Sequence, residues 1–172
     1  MMVWMGKANL VSVVEWRSRV LLTTATSAPM TVHFVCTGNI YRSRLAEAYC
    51  ASRCRPALSV FSSGIGAGLN NGVRITPYAS RLLKERGLES FAAVSRQQTT
   101  AGLVHASDVL IFMEQEHFRF CEDWIDSGRQ TVEIWNIADI RQKDAAAISI
   151  EVEQTFAAIQ QRTDCLLTSL CR

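Results

Sequence analysis

From residue 31 onward, short unbroken apolar runs take turns with stretches whose apolar residues recur every three or four positions. Thr31–Cys36 (TVHFVC) is apolar and β-branched, which predicts a buried strand. From Arg44 the chain reads RLAEAYCASRC, a run of helix formers with Leu45, Ala48 and Tyr49 on one face, closed by Pro56. Leu58–Ser62 predicts a second strand, followed by the glycine-rich loop GIGAGLNNG. Thr76-Pro77 predicts a helix start with Thr76 as cap, Ala79, Leu82 and Leu83 inward, and Gly87 as the stop. Asp108–Met113 (DVLIFM) is apolar almost throughout, as a strand covered on both sides must be. Glu114–Ile125 predicts a helix, Thr131–Trp135 a fourth strand and Asn136–Lys143 a polar loop. The remainder predicts one long helix, with Ile148, Val152, Phe156, Ile159, Leu166 and Leu170 in helical period.

Strands that alternate with helices imply an α/β fold: a four-stranded parallel sheet, helices on both faces, three layers in all. In such sheets, sites form at the carboxyl ends of the strands. The turn after the first strand is the first place to look.

Composition narrows the class. With 172 residues, 48% hydrophobic and 20% charged, the chain suits a single globular domain. Its net charge of +2 is too balanced to argue for nucleic acid or a membrane surface as partner. Residues 1–29 are expected to be an N-terminal extension ahead of a domain at 30–172, with Met30 as a plausible natural start. In this extension the apolar run Leu10–Val14 stops at Glu15, too short for a signal core. The expected compartment is therefore the cytoplasm, with reduced thiols. The six cysteines include no C-x-x-C and no Cys/His pair at zinc spacing, so no metal site is expected. Cys50 and Cys54, one helical turn apart, read as packing residues. His33 reads as packed mid-strand, His105 as a surface residue, and His117 is given no chemistry.

The turn after the first strand reads Cys36-Thr37-Gly38-Asn39-Ile40-Tyr41-Arg42-Ser43. Successive N–H groups in such a loop can curl into an anion cradle, and the following helix adds its positive end. Gly38 is expected to permit the sharp backbone path. Arg42 offers a planar fork for two phosphate oxygens. Ser43 can donate a hydrogen bond to a thiolate at Cys36, and a field that favours a thiolate also binds a phosphate dianion. Asn39 can accept a left-handed backbone.

With these residues in view, the chain resembles the low-molecular-weight protein-tyrosine phosphatases. The resemblance rests on Val32–Ala48 (VHFVCTGNIYRSRLAEA), which holds the family's C-x5-R-S signature. It continues more weakly through Phe61–Gly64, Ser95–Gln97 and Ser107–Met113, so it covers about residues 31 to 170. It implies hydrolysis of phosphotyrosine on protein partners, with inorganic phosphate or other oxyanions also held in the loop, and no metal or organic cofactor. It implies Cys36 as nucleophile, Arg42 as clamp and, by position after the fourth strand, Asp139 as general acid. Thr37, Gly38, Asn39, Ile40, Tyr41, Arg42 and Ser43 would bind the phosphate, and Asn39 would brace the loop by bonding toward Ser62 or Ser63.

The sequence departs from the family's pattern at several places. Ala138 and Ile140 flank Asp139 where the family has prolines, an expected loosening of that loop. Asp144 is the second choice for the acid and a candidate cap for the last helix. Tyr41 stands where many members carry a second cysteine, and is expected to wall the pocket. Across from it the chain offers Leu69 and Asn70 rather than an aromatic. Two rival readings remain. An arsenate reductase of this fold would need resolving cysteines, and none lies between Cys54 and Cys121. A phosphate-binding module without catalysis would have no need of the thiol.

Overall fold

The apolar runs pair into one parallel sheet of order β2-β1-β3-β4, formed by β1 (Met30–Cys36), β2 (Leu58–Gly64), β3 (Val109–Phe112) and β4 (Thr131–Ile134). This architecture comes from a computed structural model that describes residues 28–54, 58–69 and 74–170. The expected cap at Pro56, Asn70 and the first 27 residues lie outside the described residues. The register sets Cys36 beside Gly64 and Val35 beside Phe112, so three strands end together at one edge.

Among the described residues, five α-helices flank the sheet: α1 (Arg42–Arg53), α2 (Pro77–Glu85), α3 (Ala101–His105), α4 (Gln115–Cys121) and α5 (Ala145–Leu170). Strand alternation sorts the core into two halves. Val32, Phe34, Val109 and Ile111 meet Leu45, Leu82, Phe156 and Ile159 from α1, α2 and α5. Val35, Leu110 and Phe112 meet Val104 and Cys121 from α3 and α4. Each large side chain removed from water in this way contributes roughly 1.5–3 kcal/mol. In α5 the buried positions Val152, Phe156, Ile159, Thr163 and Leu166 keep the predicted period, while Ile148 and Leu170 are half-buried.

Two expectations change. Thr76 makes no side-chain cap at α2; Pro77 begins the helix through its fixed φ alone. The predicted helix at 114–125 ends at Cys121 and tightens into a 3₁₀ turn at Glu122–Trp124. The C-terminus of α2 follows the sequence: Gly87 takes φ 68°, its N–H reaches the Lys84 carbonyl and that of Leu88 reaches Leu83. This Schellman closure satisfies carbonyls that the helix end leaves free. Asp144 caps α5 through Oδ2, which accepts from the N–H groups of Ala146 and Ala147, both at 3.0 Å. The cysteines of α1 and its cap, Cys50 and Cys54, place their Sγ atoms 3.7 Å apart. Among the described residues, no helix is long and apolar enough to cross a membrane.

Candidate active site

The loop from Cys36 to Tyr41 joins the end of β1 to the start of α1, and Gly64 forms the floor beneath it. A Cβ at Gly64 would lie 2.6 Å from the Asn39 nitrogen and 2.7 Å from the Thr37 oxygen, closer than atoms can pack. The N–H groups of Ile65 and Gly66 donate to the carbonyls of Cys36 and Thr37 at 3.0 and 2.8 Å. The β2 end thus holds the loop from below. The left-handed turn falls on Asn39 (φ 52°), not on the expected Gly38; among the described residues Gly87 is the glycine with positive φ. Asparagine tolerates this conformation because its side chain bonds locally, and here those bonds are long-range as well.

Asn39 braces the loop from three sides. Its Nδ2 donates to Ser43 Oγ at 3.0 Å and to Ser62 Oγ at 2.7 Å, and its Oδ1 accepts the Gln97 N–H at 2.7 Å. Ser62 passes the chain on, donating to Glu47 Oε2 at 2.5 Å. Ser63 points to the opposite face of β2, bonding His33 Nε2 and Thr99, so the brace uses Ser62 and not Ser63. Cys36 Sγ is buried, 3.0 Å from Ser43 Oγ and 3.3 Å from the Asn39 N–H that donates to it. Since Asn39 supplies a proton to Ser43 Oγ, the Ser43 hydroxyl is free to donate to Sγ. The N–H groups of Gly38, Ile40, Tyr41, Arg42 and Ser43 meet no acceptor among the described residues. Unpaired N–H groups of this kind, at a loop and a helix start, are chemically suited to hold an anion.

Arg42, 1% exposed, lies at the start of α1. Its Nη1 donates to Glu114 and to the Ile137 carbonyl at 2.9 Å. Its Nη2 donates to Asp139 Oδ2 at 3.0 Å and Thr37 Oγ1 at 3.3 Å. A buried guanidinium needs such partners, because an unpaired one would be costly. The last turn of the β4 connection brings Asp139 in. Asn136 adopts φ 54°, and the Ile137 N–H bonds the Met113 carbonyl at 2.8 Å. Ile137 therefore ties the loop both to the end of β3 and to Arg42. These two backbone bonds hold the Asp139 loop where the flanking prolines are absent.

Several of these residues escaped the sequence reading. Glu114 follows β3 and pairs with Arg42 across 72 positions. His117, read above as without chemistry, is fully buried and its Nε2 lies 2.9 Å from Thr37 Oγ1. Burial and the nearby Arg42 charge lower its pKa to about 4. Glu47 and Arg44, 4% and 2% exposed, form a buried pair behind the loop. Desolvation pushes the Glu47 carboxyl up, against the pull of Ser62 and Arg44. The sequence held one signal for this pair, opposite charges at i and i+3, Arg44 and Glu47, on the helix after the loop.

Tyr41 is also placed otherwise than expected. It is 3% exposed, and its ring packs edge-on against Tyr78 at 5.1 Å, inside the core. It therefore cannot wall the pocket. Tyr78, half-buried and within reach of the Asp139 and Arg42 charges, comes nearer the surface. Leu69, at the end of a 3₁₀ turn beside Gly66, is 87% exposed. His33 is packed as read: it is fully buried, stacked on Phe61 at 4.2 Å, and burial lowers its pKa to about 3.

Residues 31–171 match the family described as Low molecular weight phosphotyrosine protein phosphatase. A relative from Ralstonia solanacearum, a probable low molecular weight protein-tyrosine-phosphatase EpsP, is 35% identical over 83 residues, covering 48% of this chain and 54% of its own. An arsenate reductase from Brevibacillus brevis is 44% identical over 59 residues, 34% of this chain and 40% of its own. The chain spans about half the length, or less, of the curated relatives it matches. Among solved structures, the Erwinia amylovora tyrosine phosphatase amsI has the same fold, with TM-score 0.69 and 23% identity over 88% of this chain and 99% of that one.

Proposed function

The chain belongs to the low molecular weight phosphotyrosine protein phosphatase family, and we propose that it hydrolyses phosphotyrosine on proteins through a phosphocysteine intermediate. One observation carries this reading. A single buried guanidinium, that of Arg42, joins the loop around Cys36 to the carboxylate of Asp139 at 3.0 Å. In this reading Arg42 is the clamp that links the nucleophile's loop to the acid, as a two-step phosphoryl transfer requires.

A phosphoryl dianion entering the cradle competes with Asp139 for the Nη2 of Arg42. Released from Arg42 and protonated from solvent, the half-exposed carboxyl group is then left beside the leaving oxygen. The Cys36 thiolate attacks phosphorus, forming an S–P bond as the P–O bond breaks, and the Asp139 proton passes to the phenol oxygen. Asp139 next takes a proton from water, which attacks phosphorus. The S–P bond breaks, phosphate leaves and the thiolate returns. The free N–H groups of the loop stabilise the phosphoryl oxygens in both steps.

The test is turnover of aryl phosphates with graded leaving groups and of a phosphotyrosine peptide, beside arsenate reduction with a thiol donor. Cys36→Ser is expected to lose hydrolysis by orders of magnitude. Asp139→Asn is expected to slow poor leaving groups most, since only they need the proton. Hydrolysis unchanged in Cys36→Ser, or arsenate reduction outpacing it in the wild type, would overturn the proposal.

A further inference from the structure

The Thr37 hydroxyl has two partners, and both donate to it. The Glu114 N–H donates to His117 Nδ1 at 3.0 Å, so in the neutral ring the proton sits on Nε2. That Nε2–H reaches Thr37 Oγ1 at 2.9 Å; the alternative acceptor, the exposed Glu116 carboxylate, is farther away at 3.5 Å. Arg42 Nη2, which can only donate, reaches the same Thr37 oxygen at 3.3 Å. A hydroxyl oxygen has two acceptor sites and one proton. With both acceptor sites taken, the proton must point elsewhere, and no described residue accepts it.

We infer that His117 and Arg42 together fix the Thr37 hydroxyl as a hydrogen-bond donor to an oxygen of the bound phosphoryl group, with His117 as a positioning residue. This deepens the phosphatase reading and rests on it. A freely rotating hydroxyl would have to turn its proton toward an anion as the anion binds, at a cost in reorganisation. Fixed by two donors, it contributes without reorganising when the anion arrives. Thr37 is adjacent to Cys36, and Arg42 Nη2 bonds both Thr37 and Asp139, so this donor lies on the acid's side of the cradle. His117 is fully buried and makes these two ring contacts, which keeps its ring from flipping to the other orientation.

The experiment is calorimetric titration with inorganic phosphate of the full chain and of Thr37→Val, Thr37→Ser, His117→Phe and the double variant Thr37→Val/His117→Phe. Thr37→Val is expected to weaken phosphate about ten-fold, the loss of one hydrogen bond to a charged group. Thr37→Ser keeps the hydroxyl and is expected to stay within about two-fold of wild type. His117→Phe is expected to weaken binding on its own but add nothing in the Thr37→Val background. Unchanged affinity in Thr37→Val overturns the inference, and so does an equal His117→Phe effect in both backgrounds. Should His117→Phe fail to fold, the exposed Thr37 variants decide it alone. A wild type that binds no phosphate overturns the phosphate-site reading itself, a different result from a wild type that binds and a Thr37→Val variant that binds equally.

Discussion

Ser62 donates its hydroxyl to Glu47 Oε2 at 2.5 Å, so a strand-end serine ties the phosphate loop to a carboxylate buried in α1. The chain Sγ–Ser43–Asn39–Ser62–Glu47 is unbroken, and Arg44 and the Ala93 N–H complete the carboxylate's partners. Networks of this kind fix one geometry when every member is satisfied and fail together when one is lost.

Glu47→Ala is therefore expected to cost about 3–5 kcal/mol of stability, because it strands the Arg44 guanidinium in the interior. Activity should fall with it, since Asn39 loses its anchor. Urea unfolding reads the first effect and aryl phosphate turnover the second. The exposed pair Arg86–Glu153 is the control: Glu153→Ala should move the unfolding midpoint little. Similar small shifts for both variants would remove the role given to Glu47.

Gly64 admits no side chain, since its neighbours at 2.6 to 2.8 Å are backbone atoms that cannot swing away. Gly64→Ala must push the loop off the end of β2. About 2 kcal/mol of destabilisation is expected from overpacking. A loss of activity of about a hundred-fold is expected from displacing the cradle by a fraction of an ångström or more. Wild-type turnover in this variant would show that the floor contact does not position the loop.

Stability should fall in acid through the two buried histidines. Burial lowers the pKa of His33 to about 3 and, with Arg42, that of His117 to about 4. The unfolded chain protonates them near pH 6.5, so below that pH it binds protons the native state does not, and stability drops as pH falls toward 4. Between pH 7 and 4.5 each histidine contributes roughly 2–3 kcal/mol of this loss. Denaturant titrations at the two pH values, in wild type and His33→Asn, provide the check. The variant should show the shallower dependence; equal slopes would exclude His33 as a source.

Among the described residues, Leu69 is the large apolar side chain exposed beside the loop. Leu69→Ser is expected to raise KM for aryl phosphates about three- to ten-fold, the value of one lost apolar contact. Small alkyl phosphates should be unaffected. Equal changes for both substrate classes would mean that Leu69 acts through the loop's structure and not on the ring.

Much of this fold was legible because it is locally encoded. TVHFVC and DVLIFM are largely apolar since a parallel strand is covered on both faces, and the α5 period follows from one face meeting the sheet. The loop from Cys36 to Ser43 was readable for a similar reason: strand, turn and helix are contiguous, so spacing alone puts thiol and guanidinium at one strand end. The Thr76 cap failed because a good capping residue was assigned a bond that its surroundings do not provide. Tyr41 failed because whether a loop aromatic faces solvent or core depends on what packs there, and Tyr78 of α2 packs there.

What the sequence determined by itself was the order of elements and a loop that holds Cys36 and Arg42 at the end of the first strand, because both arise from neighbours along the chain. What only the tertiary structure decided was the company that Arg42 keeps. Glu114 lies 72 residues away, Asp139 97 residues away, and the Ile137 carbonyl 95. Strand order β2-β1-β3-β4 places β3 beside β1 and β4 beside β3. That pairing, and not any local spacing, carries Glu114, His117 and Asp139 to the end of the first strand.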